Sequence, residues 1–313
     1  MYPIRRESRS EFIPIRHLRY HVRQWGTPRV GATPWVMLHG WMDVSASFQF
    51  VVDALSEDPW IIAPDWRGFG LTATTGQDSF WFADYLADLD FLLDHLCPQQ
   101  PVNLIGHSMG GHVATLYAGV RPERVARLVN LEGFGMPATR PAQAPTRLAQ
   151  WIDELQTQHR SEAGLRPYAT LADVAARLMK TNPRLPSDKA QWLAQHWARQ
   201  DAQGQWHILG EAGHKIVNPH LFRVDETLAT YARIQASTLC VVAESDSIAQ
   251  WWKDRYSLTE FMERIAHVPQ LQHARLADCG HMLHHDQPEA LAHLLSAFVN
   301  SQTDIISSLF NKG

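Results

Sequence analysis

Residues 102–112 read Val102-Asn103-Leu104-Ile105-Gly106-His107-Ser108-Met109-Gly110-Gly111-His112, a short apolar run that breaks into G-x-S-x-G at positions 106–110. The β-type residues Val102, Leu104 and Ile105 lead in, and Val113-Ala114-Thr115-Leu116-Tyr117-Ala118, compatible with a helix, leads out. A serine on such a corner is forced into strained backbone geometry, and small residues two before and two after it let the flanking chains pass closely. The corner lifts the hydroxyl off a sheet and aims it at the next helix N-terminus, where free N–H groups favour developing negative charge. The bare pattern is loose and also describes a glycine-rich turn with an incidental serine. The strand before it and the helix after it favour the chemical reading.

A chain of 313 residues is long enough for one large core, or one core carrying an inserted module. Apolar content of 45% and charged content of 19% are those of an ordinary globular protein. The net charge of −4, from 28 basic and 32 acidic side chains, argues against a nucleic-acid binder, which usually carries a basic surplus. Arg5, Arg6 and Arg9 read as a solvated terminus, because no apolar stretch of secretory-signal length follows them. No apolar run is long enough to cross a bilayer, so no membrane partner is expected. Cys97, Cys240 and Cys279 are odd in number and widely spaced, which speaks against a disulfide framework or a zinc site. The expectation is a cytoplasmic protein whose oligomeric state the sequence leaves open.

Outward from the serine corner, segments 11–16 and 19–25 alternate in β-like fashion before the break at Gly26-Thr27-Pro28, and read as an antiparallel pair. Short apolar runs at 35–38, 60–63, 102–105, 125–131, 239–243 and 274–276 suit strands covered on both faces. Between them, 79–96 places Phe82, Leu86, Leu89 and Leu93 at helical steps, and 287–299 does the same with Leu291, Leu294, Leu295 and Phe298. This alternation implies a mostly parallel sheet with helices on both faces. It fails from Phe134 to Ile234, where no convincing strand is visible. Four helical stripes are: Leu148, Trp151, Ile152 and Leu155; Leu171, Val174 and Leu178 behind a Thr170 cap; Ala190, Leu193 and Trp197 behind a Ser187 cap; and Leu221, Val224, Leu228 and Tyr231. The simplest account is a helical lid, residues 134–234, inserted into a core of residues 1–133 and 235–313.

A serine hydroxyl needs a base, an orienting acid and an anion trap. His39-Gly40-Trp41 follows the run 35–38, and a glycine there lets the chain turn so that the Trp41 N–H faces a substrate oxygen. The Met109 N–H supplies a second donor. His39 reads as a structural residue tying that loop down. Two acids end apolar runs: Asp246 after 239–243 and Glu132 after 125–131. His281 lies just past 274–276, ahead of the helix begun by Pro288.

These residues carry a resemblance. The chain resembles the α/β-hydrolase superfamily, in particular its serine esterase, haloperoxidase-like and C–C-bond hydrolase group, over roughly residues 11–133 and 235–300. The likeness rests on His39-Gly40, the 106–110 corner, Asp246, Gly280-His281 and the turn Pro64-Asp65-Trp66-Arg67-Gly68-Phe69-Gly70. It implies the α/β-hydrolase fold: a mostly parallel eight-stranded sheet with helices on both faces and an inserted helical lid. It also implies a triad in the order Ser108, Asp246, His281, with Asp246 preferred over Glu132 because the late-strand loop is the commoner source of the acid in this group. Asp65 and Arg67 read as loop braces. Related haloalkane dehalogenases and epoxide hydrolases carry aspartate where Ser108 stands, which argues against both activities.

The implied reaction is acyl transfer on a small to medium, mainly apolar ester, through an acyl-enzyme and without a cofactor. Hydrolysis of a C–C bond, a thioester or a lactone, or acyl transfer to another acceptor, would use the same triad. A ligand-binding or scaffold relative is the alternative of another class. His107, Trp151, Trp251 and Met136 are candidate substrate contacts, although tryptophans at helical spacing also serve as packing. His281, His284, His285 and Asp286 have the residue types of a metal site. No distant partner set is evident for them in the sequence, so no metal is expected.

Overall fold

The alternating opening folds as an antiparallel pair, Arg9–Ile15 (β1) and Leu18–Trp25 (β2), in the computed structural model, which describes residues 2–72, 76–161 and 165–300. Trp35–Leu38 (β3), Gln49–Ala54 (α1), Ile61–Pro64 (β4), Phe82–Leu96 (α2), Val102–His107 (β5), Met109–Val120 (α3) and Val125–Leu131 (β6) follow along the chain. Each apolar run is nearly or wholly buried, as strands covered on both faces must be.

The chain then leaves the sheet for Ala144–Ser161 (α4), Leu171–Thr181 (α5), Ser187–Trp197 (α6), Ala198–Gln200 (β7), Trp206–Ile208 (β8) and Val224–Tyr231 (α7). It returns through Ser237–Ala243 (β9), Ser247–Trp252 (α8), Leu258–Ile265 (α9), Leu271–Leu276 (β10), Leu283–Asp286 (α10) and Pro288–Val299 (α11). Among the described residues the main sheet has eight strands in the order β1-β2-β4-β3-β5-β6-β9-β10, and all neighbours from β4 to β10 run parallel.

Two apolar layers sandwich this sheet. Leu89, Val113, Tyr117, Tyr231 and Phe261 from α2, α3, α7 and α9 cover one face. Val51, Leu291, Leu295 and Phe298 from α1 and α11 cover the other. The period-two alternation of β5 sends Leu104 to the first face and Ile105 to the second, and His107 shares the side of Ile105. The segment between β6 and β9 packs through Val174, Leu178, Leu193 and Trp192 onto Val44, Ala46 and Phe50.

Two expectations for that segment need correction. It contains the antiparallel pair β7-β8, whose three-residue strands are too short to show a period of two. Ser187 is the first residue of α6 and not its cap, because Pro186 occupies the capping position. Thr170 does cap α5, accepting a hydrogen bond from the Asp173 N–H at 3.1 Å.

Candidate active site

The loops after β3, β5, β6, β9 and β10 leave the carboxyl edge of the parallel sheet, where ligand groups gather in open α/β folds. Ser108 forms the corner between β5 and α3 at φ 53°, ψ −118°, a conformation a non-glycine residue adopts only when its surroundings impose it. A Cβ on Gly106 would lie 2.3 Å from the Gly110 carbonyl oxygen, and one on Gly110 would lie 2.3 Å from that of Leu38. Both contacts are with backbone, so both positions require glycine.

His281, from the loop after β10, bridges two groups. Its Nε2 is 2.9 Å from Ser108 Oγ and its Nδ1 is 2.9 Å from Glu132 Oε2. A carboxylate can only accept, so Nδ1 carries the proton and the Nε2 lone pair faces the serine hydroxyl. Glu132 is buried directly after β6 with φ 55°, and its Oε1 accepts the Ala243 N–H of β9 at 2.7 Å. The acid is therefore held by the neighbouring strand.

The expected Asp246–His281 pairing is corrected by this geometry. Asp246 is exposed and is the N-cap of α8, its Oδ1 accepting the Ala249 N–H at 2.9 Å. The loop after β9 turns straight into a helix, and the helix needs that side chain for its first free N–H groups.

His39 braces the loop after β3. Its Nδ1–H donates to the Gly40 carbonyl at 2.8 Å, its Nε2 accepts the Trp66 N–H at 2.9 Å, and burial pushes its pKa down. The backbone of Gly40 passes so close to the serine corner that a Cβ there would meet Ser108 Cβ at 3.1 Å, which sets the next residue, Trp41, beside it. The Trp41 indole donates to the His214 carbonyl at 3.3 Å. That histidine is stacked between Phe69 and Phe80, at 3.8 and 3.6 Å, and burial pushes its pKa down to about 3. Asp65 accepts from His21 Nδ1 and from the N–H groups of Ser45 and Leu71 at 2.7–2.8 Å. Arg67 forks onto Asp88 at 2.6 and 2.7 Å.

Of the candidate substrate contacts, the structure brings Trp251 to the Ser108–His281–Glu132 cluster, with its ring 5.0 Å from that of His281. Phe134, which the sequence reading passed over, stacks on the same imidazole at 6.2 Å. Met136 is exposed, and its carbonyl is held by Arg264 Nη1 at 2.7 Å. Trp151 bonds Ser79 Oγ at 3.3 Å, joining α4 to the segment before α2. His107 is corrected as a substrate contact. It is buried, its Nε2–H donates to the His281 carbonyl at 2.8 Å, and its ring faces His284 at 4.3 Å. Burial, with His284 and His281 adding to it, pushes the His107 pKa well below the ordinary value. Sequence reasoning ranked Glu132 second and did not find Asp43, whose carboxylate lies beside His284. The only available signal for Asp43 was its place two residues after Trp41.

A sequence profile described as α/β hydrolase fold matches residues 33–288. The chain belongs to the α/β-hydrolase fold family. This α/β hydrolase is 26% identical to a serine hydrolase-like protein of Danio rerio, over 95% of the chain and 90% of that protein. It is 25% identical to a cis-3-alkyl-4-alkyloxetan-2-one decarboxylase of Shewanella oneidensis, over 86% of the chain and 83% of that protein. Among solved structures, the thioesterase domain from the curacin biosynthetic pathway aligns with a TM-score of 0.80 at 24% identity, covering 93% of the chain and 99% of that domain, a likeness of fold. No helix among the described residues is long and apolar enough to cross a membrane.

Proposed function

We propose that this hydrolase cleaves a small to medium, mainly apolar ester through an acyl-enzyme formed on Ser108. One observation carries the reading: a single imidazole, His281, lies 2.9 Å from both the serine hydroxyl and a buried carboxylate, Glu132. His281 Nε2 takes the Ser108 proton as Oγ attacks the carbonyl carbon, while Glu132 holds the imidazolium that forms. The N–H groups of Trp41 and Met109 receive the oxyanion, the leaving group departs with the proton from His281, and water repeats the sequence.

The segment 134–234 acts as a lid over the core of 1–133 and 235–313, with Trp251 and Phe134 as apolar walls beside the triad. An alkyl-substituted oxetan-2-one, named for the Shewanella relative, is itself a cyclic ester, in keeping with an apolar ester class.

A serine-directed fluorophosphonate tests the reading, together with hydrolysis of short-chain aryl esters set against thioesters and diones. The wild type should be labelled and should favour the oxygen esters, and Ser108→Ala should do neither. A folded wild type that takes no label and hydrolyses none of them would make this chain a non-catalytic relative.

A further inference from the structure

Behind His281, on the side of the sheet covered by α1 and α11, lies a group of polar side chains that the acyl-transfer cycle does not use. Asp43, His107 and His284 are 4%, 1% and 0% exposed, and one donor atom of each lies within 4.8 Å of those of the other two. Their hydrogen bonds fix which atoms are free. The His281 carbonyl can only accept, so His107 Nε2 carries the proton and Nδ1 keeps a lone pair, which has no partner. Asp43 Oδ1 accepts from Ser47 Oγ at 2.5 Å and from Trp197 Nε1 at 3.1 Å, whereas Oδ2 accepts from nothing. Neither nitrogen of His284 has a hydrogen-bond partner.

Four orphaned polar atoms in one buried spot are costly when left unsatisfied. The spacing says what they lack. His284 Nε2 stands 3.9 Å from Asp43 Oδ2. That is too far for a hydrogen bond, and a closure of about half an ångström would bring the two atoms to the spacing of neighbouring donors on one tetrahedral cation.

We propose that Asp43, His107 and His284 hold one divalent transition-metal ion of the zinc type. Two imidazole nitrogens and one carboxylate oxygen suit zinc, cobalt or nickel, where magnesium and calcium would ask for an oxygen cage. The bond from His107 Nε2–H to a backbone carbonyl is the outer contact that fixes a metal-ligating imidazole in its tautomer. The partners of His284 are not adjacent to it in sequence, because Asp43 comes from the loop after β3 and His107 from the end of β5.

Each ligand is rooted beside a group of the proposed reaction. Asp43 lies two residues after Trp41, His107 immediately precedes Ser108, and His284 lies three residues after His281. The ion is therefore a clamp joining the oxyanion, nucleophile and base loops from behind, and the bound metal takes no part in acyl transfer.

The test reads metal and spectra, so it stands apart from ester hydrolysis. The full chain, without an oligohistidine tag and purified without chelator, should carry about one zinc by mass spectrometry. After chelator treatment, Co2+ titration should give visible d–d bands that saturate at about one equivalent. His284→Leu removes a ligand while filling the space, and should lower metal content and Co2+ affinity by about tenfold or more. Asp43→Asn, which keeps the side-chain shape, covers the case in which the leucine variant does not fold. Zinc should raise the thermal midpoint of the wild type and leave both variants unmoved. A folded wild type that binds neither metal, or variants that bind as the wild type does, would overturn the proposal.

Discussion

Glu132→Gln tests the site most sharply, because the amide has nearly the same shape and changes only what it donates. In the wild type, Glu132 Oε1 accepts the Ala243 N–H at 2.7 Å and Oε2 faces His281 Nδ1 at 2.9 Å. The Ala243 N–H can only donate, so it claims the amide oxygen of the glutamine. The NH2 group is then turned toward Nδ1, which must give up its proton to accept. The proton moves to Nε2, which faces Ser108 Oγ at 2.9 Å and can no longer act as a base. The equivalent wrong-tautomer substitution in a serine protease costs about 10⁴ in kcat, or about 5.5 kcal/mol of barrier. We expect a fall of about 10³–10⁴-fold in kcat on an aryl ester, with KM and the thermal midpoint little changed. Asp246→Asn, which still caps α8, should stay within about threefold of wild type. Retention of a tenth or more of wild-type kcat by Glu132→Gln, or an equal collapse in Asp246→Asn, would refute the reasoning.

Gly110→Ala would set a methyl group 2.3 Å from the Leu38 carbonyl oxygen and 2.6 Å from that of His39. Urea unfolding should show a loss of about 3 kcal/mol or more, and a loss below about 0.5 kcal/mol would contradict the tight corner. His112, buried between Phe82 and Phe222, has its pKa pushed down to about 4 by burial, with Arg264 adding to it. The unfolded chain protonates this histidine below about 6.5, so it binds more protons than the folded chain down to about 4, and stability falls with pH across that window. His112→Gln should remove at most about 3 kcal/mol of the difference between urea stabilities at pH 7 and about pH 4, and an unchanged difference would count against a neutral buried imidazole. Trp251→Ala, at a ring 5.0 Å from His281, should raise KM for an apolar aryl ester by about tenfold with kcat within about threefold; an unchanged KM would remove Trp251 from the pocket wall.

What the sequence displays well is whatever depends on neighbours along the chain. The apolar runs that become β3, β5 and β6, the helical steps of α2 and α11, and the corner at Ser108 are all local patterns, so their placement follows from periodicity and from two glycines. The choice between Glu132 and Asp246 is not local. Both acids stand just past a buried strand, and they are separated by which one the Ala243 N–H meets and which one a following helix recruits as its cap. The same holds for His107 and His284. His107 and the histidines of 281–285 look unconnected until β5 and α10 are set beside the loop that carries Asp43. The β7-β8 pair fails for a third reason, since three residues to a strand, one buried and two exposed on β7 and all half-buried on β8, leave no alternation to read.

Moving the acid from the β9 loop to the end of β6 has a consequence for the pocket. β6 and β9 are adjacent and parallel, so a carboxylate rooted after Leu131 reaches the same imidazole as one rooted after Ala243, and the β9 backbone supplies its second hydrogen bond. The β9 loop thereby takes no part in the hydrogen-bond chain from Ser108 through His281 to Glu132. It coils at once into α8, where Asp246 becomes the cap and Trp251, on the last turn, stands over His281. Were Asp246 to serve the imidazole instead, α8 would lose the side chain that caps its first turn. Acid placement and the position of Trp251 are thus one structural choice. In a Glu132→Gln background Asp246 should not take over, because serving the imidazole would give up the cap of α8.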